Sequence, residues 1–191
     1  MSGQPGRKRN EASRQAILDA TFALMQEDGY DRLSIEGVAA RAGTGKATIY
    51  RWWSGKGVLA VEAFLAGAEP LIAFRESKSA REDILRQMHS LATLYRGPTG
   101  RLVREMIAAS QHDGAVRHAF VGGFLDPRRE LARQVFKRGL AAGEFRGDVD
   151  PDVAIDTLWA PIYYRLLVSG GPIDKDIVTA HAKVVLRGLQ L

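Results

Sequence analysis

An all-α fold is predicted for this chain of 191 residues, and three observations predict it. Glycine and proline break the sequence near residues 29, 43–45, 54–57, 70, 97–100, 122–127, 143–151 and 170–172, and the segments between have helical length and period. No run of alternating β-branched residues bounded by a hairpin dipeptide occurs. Apolar residues make up 46% of the chain and charged residues 26%, a globular balance that excludes a wholly disordered polymer.

After a basic disordered arm over residues 1–12, helix one is expected from about Ser13 to Asp28, with Ile17, Ala20, Phe22, Leu24 and Met25 inward. Gly29 is its C-cap, and Tyr30 and Leu33 fold back as plugs. Helix two starts with Ser34 as N-cap and Glu36 in the positive first turn, and places Ile35, Val38, Ala39 and Ala42 on one face. It stops at Ala42-Gly43. After Thr44 and Gly45 a third short helix opens at Lys46 and runs to about Trp53, with Ile49 and Trp53 inward. A fourth runs from Val58 to about Glu69, where Pro70 ends it. Helices then follow over about 82–95, 99–110, 114–120, 127–142, 151–169 and 175–189.

Two short helices joined by a glycine-containing turn and braced by a longer preceding helix have the design of a helix-turn-helix unit. Charge agrees. Through Lys56 there are nine basic residues against six acidic, and after it 18 against 16, so the net +5 is concentrated at the front. From Gly37 to Val61 there are four basic residues and no acidic one, which reads as a uniformly positive surface fit for a phosphate backbone. The absence of cysteine excludes disulfides, thiolate metal sites and cysteine nucleophiles, and fits a reducing cytoplasm. No stretch approaches the roughly 20 apolar residues of a membrane span, and Met1 to Asn10 is polar and basic, so a soluble, cytoplasmic protein is expected.

Leu33-Ser34-Ile35-Glu36-Gly37-Val38-Ala39-Ala40-Arg41-Ala42-Gly43, followed by Lys46-Ala47-Thr48-Ile49-Tyr50-Arg51-Trp52-Trp53-Ser54-Gly55-Lys56, resembles the DNA-binding segment of TetR-type transcriptional regulators. The match includes Ile17-Leu18-Asp19-Ala20 and Gly29-Tyr30 and spans residues 1–65. Ala142-Gly143-Glu144-Phe145-Arg146, Asp150-Pro151 and Pro161-Ile162-Tyr163-Tyr164-Arg165 look like the C-terminal half of one subgroup. Gly45 stands where the family usually has a serine N-cap, Gly57 where it has an acid, and Trp52 where histidine or tyrosine is common.

The resemblance implies DNA contacts from Ser34, Gly45, Lys46, Ala47, Thr48, Tyr50, Arg51, Trp52 and Lys56. Lys46, Ala47 and Thr48, near the start of the reading helix, are candidates for base readout: the lysine to guanine acceptors, the methyl groups to thymine. Tyr50 offers its hydroxyl to a phosphate, Trp52 only its indole N–H, and Lys56 a point charge. Ser34 both caps and reaches a phosphate, and Arg7, Lys8 and Arg9 form a basic arm. Packing on helix one is the competing reading for Tyr50 and Trp52, and ordinary solvated charge for the two lysines.

A DNA-binding domain over 13–57 is thus expected to precede a helical ligand-sensing and dimerisation domain over 58–191. In the latter, Ile155, Leu158, Trp159, Ile162 and Leu166 lie on a helix apolar nearly all round, which must be covered from several sides. One cover is a second subunit: paired with Leu131, Val135, Phe136 and Leu140, the helix would build a two-fold four-helix interface, as the family implies. A central helix buried in a monomer is the alternative. The family also implies an effector pocket, for which Met106, Phe120, Phe124, Trp159, Tyr163 and Tyr164 offer an apolar to aromatic wall and His89, Gln111 or His112 a polar handle. Core packing explains the same residues. Pro161 frees a carbonyl, and either opens space beside a pocket or is a tolerated kink.

The expected function is a ligand-responsive transcriptional repressor that binds a palindromic operator in double-stranded DNA as a homodimer, is released by a small-molecule effector, and needs no cofactor, metal or membrane. A DNA-binding activator, a nonspecific nucleoid protein and an enzyme are the alternatives. Against the enzyme, the closest two of His89, His112, His118 and His181 lie about 240° apart around a helix. No serine nucleophile elbow, phosphate-cradling glycine loop or H-E-x-x-H helix occurs. Asp148, Asp150 and Asp152 lack the glycine and terminal glutamate of a calcium loop and read as the lead-in to a helix.

Overall fold

A computed structural model describes residues 5–68 and 76–189, with the backbone alone for 5–9 and 68, and every regular element among them is helical. The helices are α1 (Pro5–Asp28), α2 (Ile35–Arg41), α3 (Lys46–Tyr50), α4 (Lys56–Ala68), α5 (Ala80–Arg96), α6 (Pro98–Ser110), α7 (Gly114–Phe120), α8 (Asp126–Ala141), α9 (Pro151–Tyr164) and α10 (Lys175–Gly188). Helix α1 opens at Pro5, so residues 5–12, expected as a disordered arm, are helical. Proline suits a first helical turn, where its missing N–H has no intrahelical role, and Arg14 pairs with Glu11 at 3.3 Å one turn away. The rest of the arm, the side chains of Arg7, Lys8 and Arg9, and the expected stop at Pro70 lie outside the described residues.

The chain forms two compact units, Met1–Glu69 with Arg101–Gly123, and Pro70–Gly100 with Phe124–Leu191. In the first, α1 lies along α4, and Ile17, Met25, Leu33, Val38, Ile49, Trp53 and Phe64 are buried. Helix α4 starts two residues earlier than its apolar pattern suggests and meets α7 closely. A Cβ on Gly57 would lie 2.1 Å from Val116 Cγ2, so the side chain usual at that position has no room. Helix α6 secures the end of α1. Arg101 donates to the carbonyls of Met25 (3.3 Å) and Gln26 (2.9 Å), and Glu105 accepts the Tyr30 N–H at 2.7 Å.

The second unit packs α5 against α8 and α10, and α9 against α8 and α10. The N-terminus of α5 is capped twice, by Ser79 and by a carboxylate from far along the chain. Glu144 accepts from Ser79 Oγ (2.7 Å), Ala80 N–H (2.9 Å) and Arg81 N–H (3.2 Å). Asp83, one turn in and buried, accepts from Ser77 N–H at 3.1 Å and from the Arg138 guanidinium. Burial pushes both carboxyls up, but the hydrogen bonds and Arg138 outweigh it, and both sit below their ordinary values. A carboxyl whose folded value is depressed stabilises fully above the unfolded value and loses that contribution as pH falls through the folded one. Glu144→Gln is therefore expected to cost about 1–2 kcal/mol at neutral pH. In urea melts its deficit should close as the solution is acidified below the ordinary glutamate range, through the depressed value at which the folded wild-type carboxylate also protonates.

Asp150 caps α9, accepting the Asp152 N–H at 2.7 Å, so the aspartate cluster serves the start of a helix. Beyond Tyr164 the helix continues as a π-helical turn, Arg165–Ser169, closed by Gly170 N–H to the Arg165 carbonyl at 3.1 Å. Pro161, inside α9, leaves the Thr157 carbonyl without its helical donor.

Candidate nucleic-acid interface and sensing unit

The α2–α3 corner is set by backbone geometry. Ser34 Oγ accepts the Gly37 N–H at 3.1 Å. At the other end of α2, Gly43 adopts φ +63°, its N–H reaches the Ala40 carbonyl (3.3 Å), and the Thr44 N–H reaches that of Ala39 (2.9 Å). This double closure needs a left-handed residue, which glycine supplies without strain. The chain is turned within three residues, and α3 follows with Gly45 as an N-cap that has no side chain to offer.

Ile49 and Trp53 are buried beneath α3, which orients everything else on it. Lys46, Ala47, Tyr50 and Arg51 point to solvent, Tyr50 with 56% of its surface exposed, and Thr48 is half-exposed. Ser34 and Gly45 are exposed beside them. Helix α3 is regular only to Tyr50, and a turn carries the chain on to Trp53. Trp52 is exposed at its edge, with the Arg14 guanidinium 5.8 Å from its ring centroid and 5.9 Å from that of Trp53. Glu62 from α4 accepts from both Arg14 and the Trp53 indole N–H, so α1 and α4 together brace the end of the reading segment.

Residues 37–61 read as uniformly positive, and here the structure corrects the sequence. Glu36 and Glu62 stand one residue outside that window at either end, and the fold brings both onto cations: Glu62 to Arg14, and Glu36 to Lys46 at 2.9 Å. The hydrogen bond to Lys46 holds the Glu36 carboxyl below its ordinary value, and the same bond raises Lys46. Arg41 is held bidentately by Glu27 at 2.5 and 2.7 Å. Lys56 turns back onto the loop before α2, with Nζ 3.4 Å from the carbonyls of Tyr30 and Asp31 and 4.7 Å from the Tyr30 ring centroid. Arg14, Glu36 and Glu62 escape a reading by local spacing because their partners are set by tertiary contact.

The residues singled out for an effector pocket divide between the two units. Met106 and Phe120 are buried in the first; His89, Phe124, Trp159 and Tyr163 belong to the second. Met106, Phe120 and Phe124 are buried, and His89, Trp159 and Tyr163 are partly so. In the second unit the Tyr95 and Tyr163 hydroxyls meet at 3.0 Å, and Arg128 lies 3.9 Å over the Phe124 ring centroid while donating to the Phe124 carbonyl at 2.9 Å. Burial raises both phenols, with the Arg128 charge acting against it. His89 Nε2 lies 2.8 Å from Thr179 Oγ1, and burial lowers its pKa.

The expected dimer stripe is also corrected. Ile155, Leu158, Ile162 and Leu166, with Val135 and Phe136 of α8, are buried within the chain's own core, and Leu140 is half-buried. Among the described residues of this unit, the large apolar side chains left in solvent are Leu131 on α8, Val184 on α10 and, along the opposite side of α9 and its π-helical turn, Val153, Tyr164, Leu167 and Val168. A helix apolar on two sides has two stripes, and periodicity alone does not say which one faces inward.

Among the described residues no three of His, Cys, Asp and Glu converge on a metal-sized point, and no helix is long and apolar enough to cross a membrane. Residues 17–63 match the family described as bacterial regulatory proteins, tetR family, and residues 74–185 match the tetracyclin repressor-like C-terminal domain. The HTH-type transcriptional regulator YdeS of Bacillus subtilis is 33% identical over 100% of this chain and 96% of its own. The DNA-binding transcriptional repressor TetR of Mycobacteroides abscessus is 31% identical over 89% and 90%. The crystal structure of the TetR family transcription regulator SCO0332 superposes with a TM-score of 0.82 at 33% identity, over 94% of this chain and 99% of that one. With both halves of the chain matched and the helix-turn-helix formed, the protein belongs to the TetR family of transcriptional regulators.

Proposed function

We propose that this regulator is a homodimeric repressor that reads a palindromic operator with α3 and is released by a small-molecule effector taken up by its helical second domain. One observation carries the reading: α3 is seated on buried Ile49 and Trp53 and presents Lys46, Ala47, Thr48, Tyr50 and Arg51 as one accessible edge. In this reading Lys46, Ala47 and Thr48 meet base edges, while Ser34, Gly45, Tyr50, Arg51, Trp52 and Lys56 serve the phosphates. The functional division falls at 57/58. Two copies join through the outer stripe of α9, and their reading helices enter successive major grooves about 34–36 Å apart. The repressor named among its relatives supports repression over activation. Regulation of this kind is not catalysis, and it is exercised on cytoplasmic DNA.

Selection of a randomised duplex pool with the full-length protein tests the reading. A two-fold symmetric sequence should be enriched and protected from cleavage. Uniform retention of all duplexes would instead favour a nonspecific nucleoid protein. On the enriched duplex, Lys46→Ala and Thr48→Ala should each change preference at particular base pairs by about 1–3 kcal/mol. Unchanged preference in both variants would remove α3 from the interface.

A further inference from the structure

We propose that Glu36 is a positioning residue for base reading: it holds the Lys46 ammonium away from phosphates and presents it to base edges, so that it contributes sequence selectivity at the expense of indiscriminate affinity. The inference rests on α3 being the reading helix and goes beyond it by assigning a role to an acid on a surface that meets a polyanion.

The placement is specific. Glu36 lies in the first turn of α2 and Lys46 is the first residue of α3, so their 2.9 Å contact spans the turn of the helix-turn-helix itself. Both side chains remain accessible, at 55% for Lys46 and 68% for Glu36, so the pair stands on the surface that would face DNA. An unpaired lysine there has four flexible bonds and satisfies itself on whichever phosphate comes within reach. Paired, it must leave Glu36 to do so, and a bare carboxylate is then stranded beside the phosphate backbone.

A base edge makes no such demand. The ammonium has three donors; one serves Glu36 and two remain, matching the N7 and O6 acceptors that guanine shows in the major groove. Glu36 thus penalises the sequence-blind contact and pre-orders the sequence-reading one. Its simpler role, an acid complementing the positive end of α2, would affect helix stability alone.

The test uses full-length wild type, Glu36→Gln, Glu36→Asp, Lys46→Met and the Glu36→Gln/Lys46→Met double variant. Binding is measured on the duplex enriched by wild type and on a scrambled duplex of equal length, across a salt series, with thermal melts to verify folding. Glu36→Gln is expected to bind the scrambled duplex about 3- to 10-fold tighter, with a log–log salt slope steeper by about one for each reading helix engaged. Its gain on the enriched duplex should be smaller, so that the specificity ratio falls roughly 2- to 5-fold. Glu36→Asp keeps the charge but shortens the reach, and should lose most of the same ratio. In the Lys46→Met background Glu36→Gln should leave the ratio unchanged.

Equal tightening on both duplexes would reduce Glu36 to a repulsive charge and overturn the proposal. So would an undiminished ratio in Glu36→Asp, or an effect that persists without Lys46. A wild-type protein that enriches no sequence would overturn the DNA-reading assignment itself, a different failure.

Discussion

Replacing Leu167 and Val168 together with aspartate is expected to leave a folded monomer whose affinity for a palindromic duplex is lower by at least about 100-fold. The two side chains are 42% and 71% exposed, so charge there disturbs little of the chain's own core. With Val153 and Tyr164 they fall on one side of a continuous helical run, opposite the buried Ile155, Leu158, Ile162 and Leu166. In the proposed homodimer this apolar stripe receives the second copy, and two aspartates at a two-fold contact would face their own counterparts across it. Analytical ultracentrifugation should find one species at the monomer mass, with a melting temperature close to the parent's. Binding to a single half-site should persist at the strength of one reading helix. A variant that remains dimeric would place the subunit contact elsewhere.

The largest expected loss of stability comes from a single methyl group. A Cβ on Gly100 would lie 1.9 Å from the Tyr95 carbonyl oxygen, a backbone atom that cannot rotate away. The site is the corner where α5 ends at Gly97 and α6 begins at Pro98, so relief requires the backbone of that corner to shift. Gly100→Ala is therefore expected to cost about 3 kcal/mol, the scale of overpacking in a closed site. For a chain of this length that lowers the melting temperature by roughly 6–12 °C. Calorimetry reads the shift directly, and a variant within about 2 °C of wild type would show that the corner relaxes freely.

Helix periods, glycine breaks and caps are local signals, and what they govern was readable from the sequence. Ser34 and Gly43 bound α2 as expected, Ile49 and Trp53 lie inside, and α7 spans Gly114–Phe120, as its flanking residues imply. Local signals fail where a segment's fate depends on distant chain. The start of α1 at Pro5 gives no apolar periodicity to detect, because its first turns are polar. The outer stripe of α9 differs from the inner one by what covers it, and that is supplied by α8 and α10. The acids that meet Lys46 and Arg14 fall just outside the acid-free stretch 37–61, and Glu105 reaches the Tyr30 N–H across 75 positions.

The DNA-reading unit is not one continuous stretch of chain. Arg101 and Glu105 grip the end of α1 and the loop after it, and Val116 closes over Gly57 at the start of α4. A fragment excised after residue 69 would lack both supports and bare the apolar side of α4, so a free-standing DNA-binding peptide of that length should be poorly folded. Chimaeras that graft this operator preference onto another regulator would have to transplant residues 101–123 along with the first 69. Gly57, Arg101, Glu105 and Val116 therefore act as one structural group, although three of the four lie outside the segment that carries the family's DNA-binding signature.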